Sequence, residues 1–233
     1  MDQLHRGPRR FGSPRAHFRL TDSTNARARE LAGNGAPDGT VVTATEQSAG
    51  RGRQGRTWSA PAGHALLCSI VIREPPRLLP LVAGVAVAER VGPAARIKWP
   101  NDVLVDGRKV AGILVEARLQ ERWAVVGIGV NVAVGPGELP PELRHRAGTL
   151  GLDPSAIDPW LEALLGALER WLCAGDDAVL EAVRARDALL GQEVRWSGRT
   201  GTGAGIDGDG RLVVMTESGQ VALDAGEVHL GGG

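Results

Sequence analysis

The densest concentration of chemically useful side chains lies in Gln47-Ser48-Ala49-Gly50-Arg51-Gly52-Arg53-Gln54-Gly55-Arg56-Thr57-Trp58. From Gln47 to Arg73 there are four arginines and no acidic residue, in a chain whose 27 basic side chains are matched by 27 acidic ones. A protein with no net charge thus focuses positive potential in one glycine-rich loop. Guanidinium forks and exposed backbone N–H groups at that density can wrap phosphate or carboxylate. The order GxxxxGK[ST] is absent, so a P-loop triphosphatase is not supported. Read alone, the loop suits anion or nucleotide binding, an RNA-contacting Arg/Gly segment, or a solvated turn.

A second constellation is Lys98-Trp99-Pro100-Asn101-Asp102, followed by Asp106-Gly107-Arg108-Lys109-Val110-Ala111-Gly112-Ile113-Leu114-Val115-Glu116. Lys98 and Lys109 are the only lysines among the 27 basic residues. Either the scarcity is chance, or at least one position needs a compact ammonium rather than a planar fork. Lys109 follows an Asp-Gly turn and opens a strand, from which an ammonium can be aimed into a cleft. Asp102 reads as a metal ligand, a hydrogen-bond organiser or a turn residue. Together with the arginine loop, these residues predict a pocket for two anionic groups, one met by Lys109 and the other by Arg51 or Arg53. In Gly127-Ile128-Gly129-Val130-Asn131, alternate glycines bare one face of a strand, either for a flat ligand or for close packing. The Asn131 amide can read a purine edge.

The elements that must hold these groups follow from the patterning. His17–Leu20 reads as extended, and Asp22-Ser23-Thr24-Asn25 offers caps for a helix over Ala26–Ala32. Thr40–Thr45, Ala65–Ile72, Ala95–Trp99, Val103–Val105, Val110–Leu119 and Trp123–Val132 read as strands, and Leu78–Val91 as a helix. This order predicts an α+β fold, a mixed or antiparallel sheet with helices on one side. Ile157–Leu172 carries one apolar helical face, Ala178–Leu190 a weaker one, and Gln192–Gly233 breaks into short strands that predict a small barrel packed on the main domain. The expected divisions are a flexible segment at 1–16, a main domain at 17–190 and a small β domain at 191–233. Cys68 and Cys173 form no CxxC, which argues against a disulfide framework or a cysteine zinc site and for a reducing cytoplasm. No run of about 18 apolar residues, and no export signal, is present.

Taken together, Asp22–Asn25 (DSTN), Gln47–Trp58 (QSAGRGRQGRTW), Lys98–Asp102 (KWPND), Lys109–Glu116 (KVAGILVE) and Gly127–Asn131 (GIGVN) resemble the biotin protein ligases. The resemblance implies a class II synthetase-like catalytic fold of the biotin/lipoate ligase type, with a C-terminal SH3-like β-barrel. The 16 residues before His17 leave no room for the DNA-binding domain of repressor members, so the resemblance is to the monofunctional kind, with no DNA partner.

Carried onto this chain, Ser23, Thr24 and Gln47 would hydrogen-bond the ring end of biotin. Asn25 and Gly50 belong to the same binding blocks, and Gly112 and Leu114 would line the pocket. Arg51 and Arg53 would close over the adenylate, and Trp58 and Asn131 would bind adenine. Asn101 would lie beside the reacting centre. Lys109, Arg53 and Asp102 would be catalytic. The implied substrates are ATP, with Mg2+, and biotin. The implied partner is a biotin carboxyl carrier protein, met by a cytoplasmic monomer or homodimer that uses no membrane. A lipoate or octanoate ligase or transferase, or a nucleic-acid module built on the Arg/Gly loop, are the alternative readings.

Overall fold

A computed structural model describes residues 11–135, 137–224, 226 and 228–230. The elements run β1 (Arg15–Thr21), α1 (Thr24–Gly33), β2 (Val41–Gln47), β3 (Ala65–Arg73), α2 (Leu79–Val91), β4 (Arg96–Lys98), β5 (Asp102–Val105), β6 (Arg108–Arg118), β7 (Trp123–Asn131), α3 (Ile157–Cys173) and α4 (Asp176–Arg184). The chain ends in β8 (Glu193–Trp196), β9 (Arg199–Ile206), β10 (Leu212–Thr216), β11 (Gly219–Leu223) and β12 (His229–Leu230). Seven strands form one sheet in the order β1-β2-β3-β7-β6-β5-β4. β1 and β2 pair parallel across the α1 crossover, and every other pair in that sheet is antiparallel.

Strand periodicity explains how the sheet is covered. In β3 and β7, Ile70, Ile72, Val126 and Ile128 enter the large core with α2 and α3. Val71, Val125 and Trp123, together with Val42 of β2, point to the opposite face and pack against Ala28 and Ala32 of α1. The expectation of helices on one side is therefore corrected: α1 covers part of the second face. The error arose because β3 is buried along its whole length except Arg73, and a continuous apolar run carries no alternation from which a free face could be read.

The C-terminal strands also depart from expectation. They form an open sheet in the order β11-β10-β9-β8-β12, and among the described residues no pairing joins β11 to β12. Among the described residues there is no closed barrel. Closure requires a continuous ladder between the first and last strands, whereas β12 has two residues and makes two rungs with β8. The inner face of this sheet, including Val194, Trp196, Ile206, Leu212 and Val214, joins the same core as α2 and α3. Trp99 reinforces that join by donating from Nε1 to the Gly210 carbonyl at 3.0 Å.

Two boundaries differ as well. Of the segment expected to be flexible at 1–16, residues 1–10 lie outside the described ones, while Phe11 is buried in the core and β1 begins at Arg15. Helix α4 stops at Arg184 rather than Leu190 because the following backbone pairs with the edge of β4: Ile97 N–H donates to Arg186 and Ala188 N–H to Ile97.

Candidate active site

The pocket lies on the α1 side of the large sheet, just beyond the first turn of that helix. Its floor is two rows of paired residues, Ser69–Gly127–Leu114 and Leu67–Gly129–Gly112, running across β3, β7 and β6. The glycines serve two neighbours from distant parts of the chain. A Cβ on Gly127 would fall 2.0 Å from Asn25 Oδ1, and one on Gly129 would fall 2.4 Å from Trp58 Cε2. Both positions are seats for the protein's own side chains rather than sites of close strand packing, and the flat group at Gly129 is the Trp58 indole.

One end of the pocket is neutral and hydrogen-bonded. Gln47 Oε1 accepts from Thr24 N–H at 2.8 Å, and Thr24 Oγ1 lies 3.1 Å from the same oxygen. Ser69 Oγ lies 2.8 Å from Thr24 Oγ1 and 2.6 Å from Asn25 Oδ1. Proton counting orders these contacts. Ser69 has one hydroxyl hydrogen, shared between Asn25 Oδ1, the shorter contact, and Thr24 Oγ1, while the Thr24 hydroxyl donates to Gln47 Oε1. Gln47 Oε1 thus accepts from both the backbone N–H and the hydroxyl of Thr24, and the Gln47 amide presents Nε2 as donor. Asn25 Nδ2 in turn donates to Glu116 Oε2 at 2.9 Å. Thr24, Asn25 and Ser69 are all buried, where an unmatched polar group would be costly.

The other end is cationic. The Arg/Gly loop folds back as a small hairpin: Trp58 N–H donates to Gly50, Gly52 N–H to Arg56, and Arg51 bridges Thr57. At its tip Gln54 has φ 54° and Gly55 φ 76°. Gly50 is required because a Cβ there would meet the Trp58 carbonyl at 2.3 Å. Arg53 donates to Asn101 Oδ1 at 3.0 Å, and Asn101 is itself fixed by β6, giving Nδ2 to the Ile113 carbonyl and receiving Ile113 N–H on its own carbonyl. The turn before Lys109 has Asp106 at φ 49° and Gly107 at φ 74°, the pair of positive angles that a tight two-residue hairpin demands. Lys109 Nζ then lies 2.7 Å from Asp102 Oδ1, within ion-pair distance but not aligned as a hydrogen bond, and 5.5 Å from the centre of a Trp58 ring. Lys98 faces Asp102 across the β4–β5 hairpin.

Both lysines of the chain therefore line the pocket with Arg51, Arg53 and Arg56, against Asp102 as the carboxylate in its wall. Burial holds the Lys98 ammonium below the usual lysine range, with Asp102 pulling upward and Lys109, Arg56 and Arg146 pushing down. His229, beside the pocket-lining Val228, is likewise held low by burial and by Lys98, Arg56 and Arg146.

Of the residues named from sequence, Ser23, Thr24, Asn25, Gln47, Arg51, Arg53, Trp58, Asn101, Asp102, Lys109, Gly112 and Leu114 line this one pocket. Gly50 and Asn131 do not. Gly50 shapes the loop, and Asn131 is buried with Nδ2 on the Gly148 carbonyl at 2.8 Å and, among the described residues, Oδ1 without a partner. Sequence reasoning passed over Ser69 and Glu116. The signal for both was strand parity, since Ser69 shares a face with Val71 and Glu116 with Gly112 and Leu114.

The profile of the biotin/lipoate A/B protein ligase family matches residues 17–133, and that of the biotin protein ligase C-terminal domain matches residues 181–231. The biotin–[acetyl-CoA-carboxylase] ligase of Paracoccus denitrificans is 39% identical over 91% of this chain and 98% of its own length. A bifunctional ligase/repressor from Bacillus subtilis is 32% identical over 91% of this chain and 72% of its own. The biotin protein ligase of Aquifex aeolicus, solved with biotin and ATP, superposes with a TM-score of 0.80 at 30% identity, covering 93% of this chain and 97% of that one. The chain belongs to the biotin/lipoate A/B protein ligase family, and within it to the biotin protein ligases.

Proposed function

We propose that this chain activates biotin with ATP to biotinyl-5′-AMP, releasing pyrophosphate, and then transfers the biotinyl group to a lysine of a biotin carboxyl carrier protein. The observation that carries the reading is the polarity of the pocket: a neutral network of matched donors and acceptors at one end, five cationic side chains against Asp102 at the other. The neutral end suits the ureido ring. Gln47 Nε2 supplies a donor, and Ser23 and Thr24 supply hydroxyls. A lipoyl or octanoyl tail would offer this end nothing to pair with.

A carboxylate resists nucleophilic attack because it is charged and has no good leaving group. In the first step the biotin carboxylate oxygen attacks the α-phosphorus, the bond to the β-phosphate oxygen breaks, and a mixed anhydride forms. Lys109 and Arg53 stabilise charge gathering on the phosphoryl oxygens, an interaction that strengthens in the transition state. Asn101 fixes the guanidinium of Arg53 and Asp102 fixes the ammonium of Lys109, so little reorganisation is left for the reaction itself. Magnesium enters with the triphosphate as part of the substrate. Among the described residues no group of three or more His, Cys, Asp or Glu could hold an ion, and the single carboxylate in the pocket wall is already paired.

In the second step the carrier's lysine nitrogen attacks the acyl carbon and AMP leaves with the bonding electrons. Asp102 orients that amine and takes up its proton. The Arg51–Arg56 loop, closing over the anhydride, shields it from water. The carrier docks along β6. β5 pairs with β6 only as far as Gly112, which leaves the backbone from Leu114 to Arg118 open on that side for an added strand. No helix among the described residues is long and apolar enough to cross a membrane, and the two free cysteines suit a reducing compartment.

ATP–pyrophosphate exchange with biotin, lipoate, octanoate and no acid tests the assignment. Exchange that depends on biotin is expected. Exchange with lipoate or octanoate but not biotin would replace the reading with that of a lipoyl ligase.

A further inference from the structure

Glu116 is given no role above, yet it touches both ends of the site. It stands on β6 one step along the pocket face from Leu114. Its Oε2 accepts from Asn25 Nδ2 at 2.9 Å. Its Oε1 accepts from Arg29 at 3.0 Å and lies 3.6 Å from Arg51 Nη1. Through Asn25 the carboxylate continues into Ser69, Thr24 and Gln47, and Gln47 is the residue from which the Arg/Gly loop departs. Arg51 is the first arginine of that loop, and its side chain is 52% exposed against 27% for Glu116.

Building on the biotin-ligase reading, we propose that Glu116 is a positioning residue that competes with the bound anion for Arg51 and so sets how tightly the loop closes on the adenylate. The guanidinium plane that faces Glu116 through Nη1 must turn to present its fork to a ligand phosphate or acyl oxygen, so the two anions compete for its orientation. The Arg51–Glu116 contact must be given up to the extent that Arg51 turns toward the ligand. A half-exposed pair of this length holds Arg51 by about two- to fivefold in population. Arg29 shares the same oxygen and weakens that hold by drawing on the same charge. Asn25 uses the other oxygen, so the ring end stays in place while Arg51 exchanges partners.

The measurement is the dissociation rate of preformed biotinyl-5′-AMP from wild type, Glu116→Gln, Arg29→Met, Arg51→Met and the Glu116→Gln/Arg51→Met double variant, with biotin affinity measured in the absence of ATP. Glutamine keeps an acceptor oxygen for Asn25 and loses the charge. Glu116→Gln is expected to slow adenylate release by about two- to fivefold relative to its own biotin affinity measured without ATP. Arg29→Met is expected to speed it, and Glu116→Gln is expected to change nothing once Arg51 is gone. A residue that only supported the fold would loosen the ligand when altered, so slower release is the distinguishing sign. Release from Glu116→Gln at or above the wild-type rate overturns the proposal, as does an effect that persists without Arg51. Failure of the wild type to bind biotin or biotinyl-5′-AMP at all would instead overturn the functional reading together with it.

Discussion

Replacing Gly127 with alanine puts a methyl group where the Asn25 amide sits. The new Cβ would lie 2.0 Å from Oδ1, 2.8 Å from Cγ and 3.1 Å from Nδ2, and ordinary contact begins at 3.4 Å. β7 is paired on both sides by β3 and β6, so the strand cannot yield and the first turn of α1 must retreat, from 2.0 to 3.4 Å or about 1.4 Å. Two hydrogen bonds are then lost. The one from Ser69 to Asn25 contributes about 1 kcal/mol, and the one from Asn25 to the Glu116 carboxylate about 1.5–3 kcal/mol. Alanine recovers about 0.5–1 kcal/mol of the backbone entropy that glycine loses on folding. The net expectation is a destabilisation of about 1.5–3.5 kcal/mol, and a fall in Tm of roughly 3–14 °C for a chain of this size. Thr24 moves with Asn25, so biotin should bind about 10- to 100-fold more weakly. Thermal and urea denaturation, with titration calorimetry for biotin, measure both effects. Two controls sharpen the test. Gly166→Ala on α3 meets nothing closer than the end of Arg170 at 3.8 Å and should stabilise by about 0.5–1 kcal/mol. In an Asn25→Ala background, Gly127→Ala should add almost no further cost, a coupling of about 2 kcal/mol. A Gly127→Ala protein with unchanged Tm and biotin affinity would show that the glycine is not a seat for Asn25, and the account of the ring end would fall with it.

Lys109→Met should lower the rate of biotin-dependent pyrophosphate exchange by about 10²–10³-fold, and Lys109→Arg should not restore it, because a planar fork cannot occupy the space over Gly112, whose Cβ would lie 3.1 Å from Nζ; full activity in the arginine variant would refute this. Among the described residues Trp58 Nε1 is buried without a partner, so Trp58→Phe should be neutral or stabilising by up to about 1 kcal/mol, whereas Trp58→Ala should raise the KM for ATP; a loss of stability in the phenylalanine variant would reveal a hidden partner. Burial raises the Asp187 carboxyl above its ordinary value of 3.8, with the Leu189 and Leu190 N–H groups opposing. The native state therefore holds its proton in a window above 3.8 where the unfolded chain has released it, so stability falls as pH rises through that window. Asp187→Asn should be more stable than wild type at neutral pH, with the gain vanishing below pH 3.8; a pH-independent difference in urea midpoints would contradict that origin.

The site was legible in the sequence where its chemistry is carried by rare residue types in short blocks. Two lysines in a chain that otherwise uses arginine both proved to face one pocket, and the acid-free loop from Gln47 to Trp58 reached it as a unit. What escaped were relations between strands. Nothing local shows that Gly127 faces Asn25, because the contact depends on the pairing of β3 with β7 and on where α1 crosses them. Ser69 sits inside an apolar run that reads as core, and only its partners Thr24 and Asn25 reveal a polar task. The closure of the C-terminal strands was equally out of reach: turn residues announce each hairpin in Gln192–Leu223, but whether the outermost strands meet depends on the length of β12 and on tertiary placement.

The hydrogen-bonded run of Thr24, Ser69 and Asn25 also governs how the enzyme could be re-tailored for analogues with larger or differently substituted rings. Each group in that chain bonds the next, so trimming one member makes room and at the same time takes a partner from a buried neighbour. Libraries that vary one position at a time will return mainly weakened proteins. Altered substrate range should emerge from joint replacement of Ser69 and Asn25, or of Thr24 and Ser69, by apolar residues that remove donor and acceptor together.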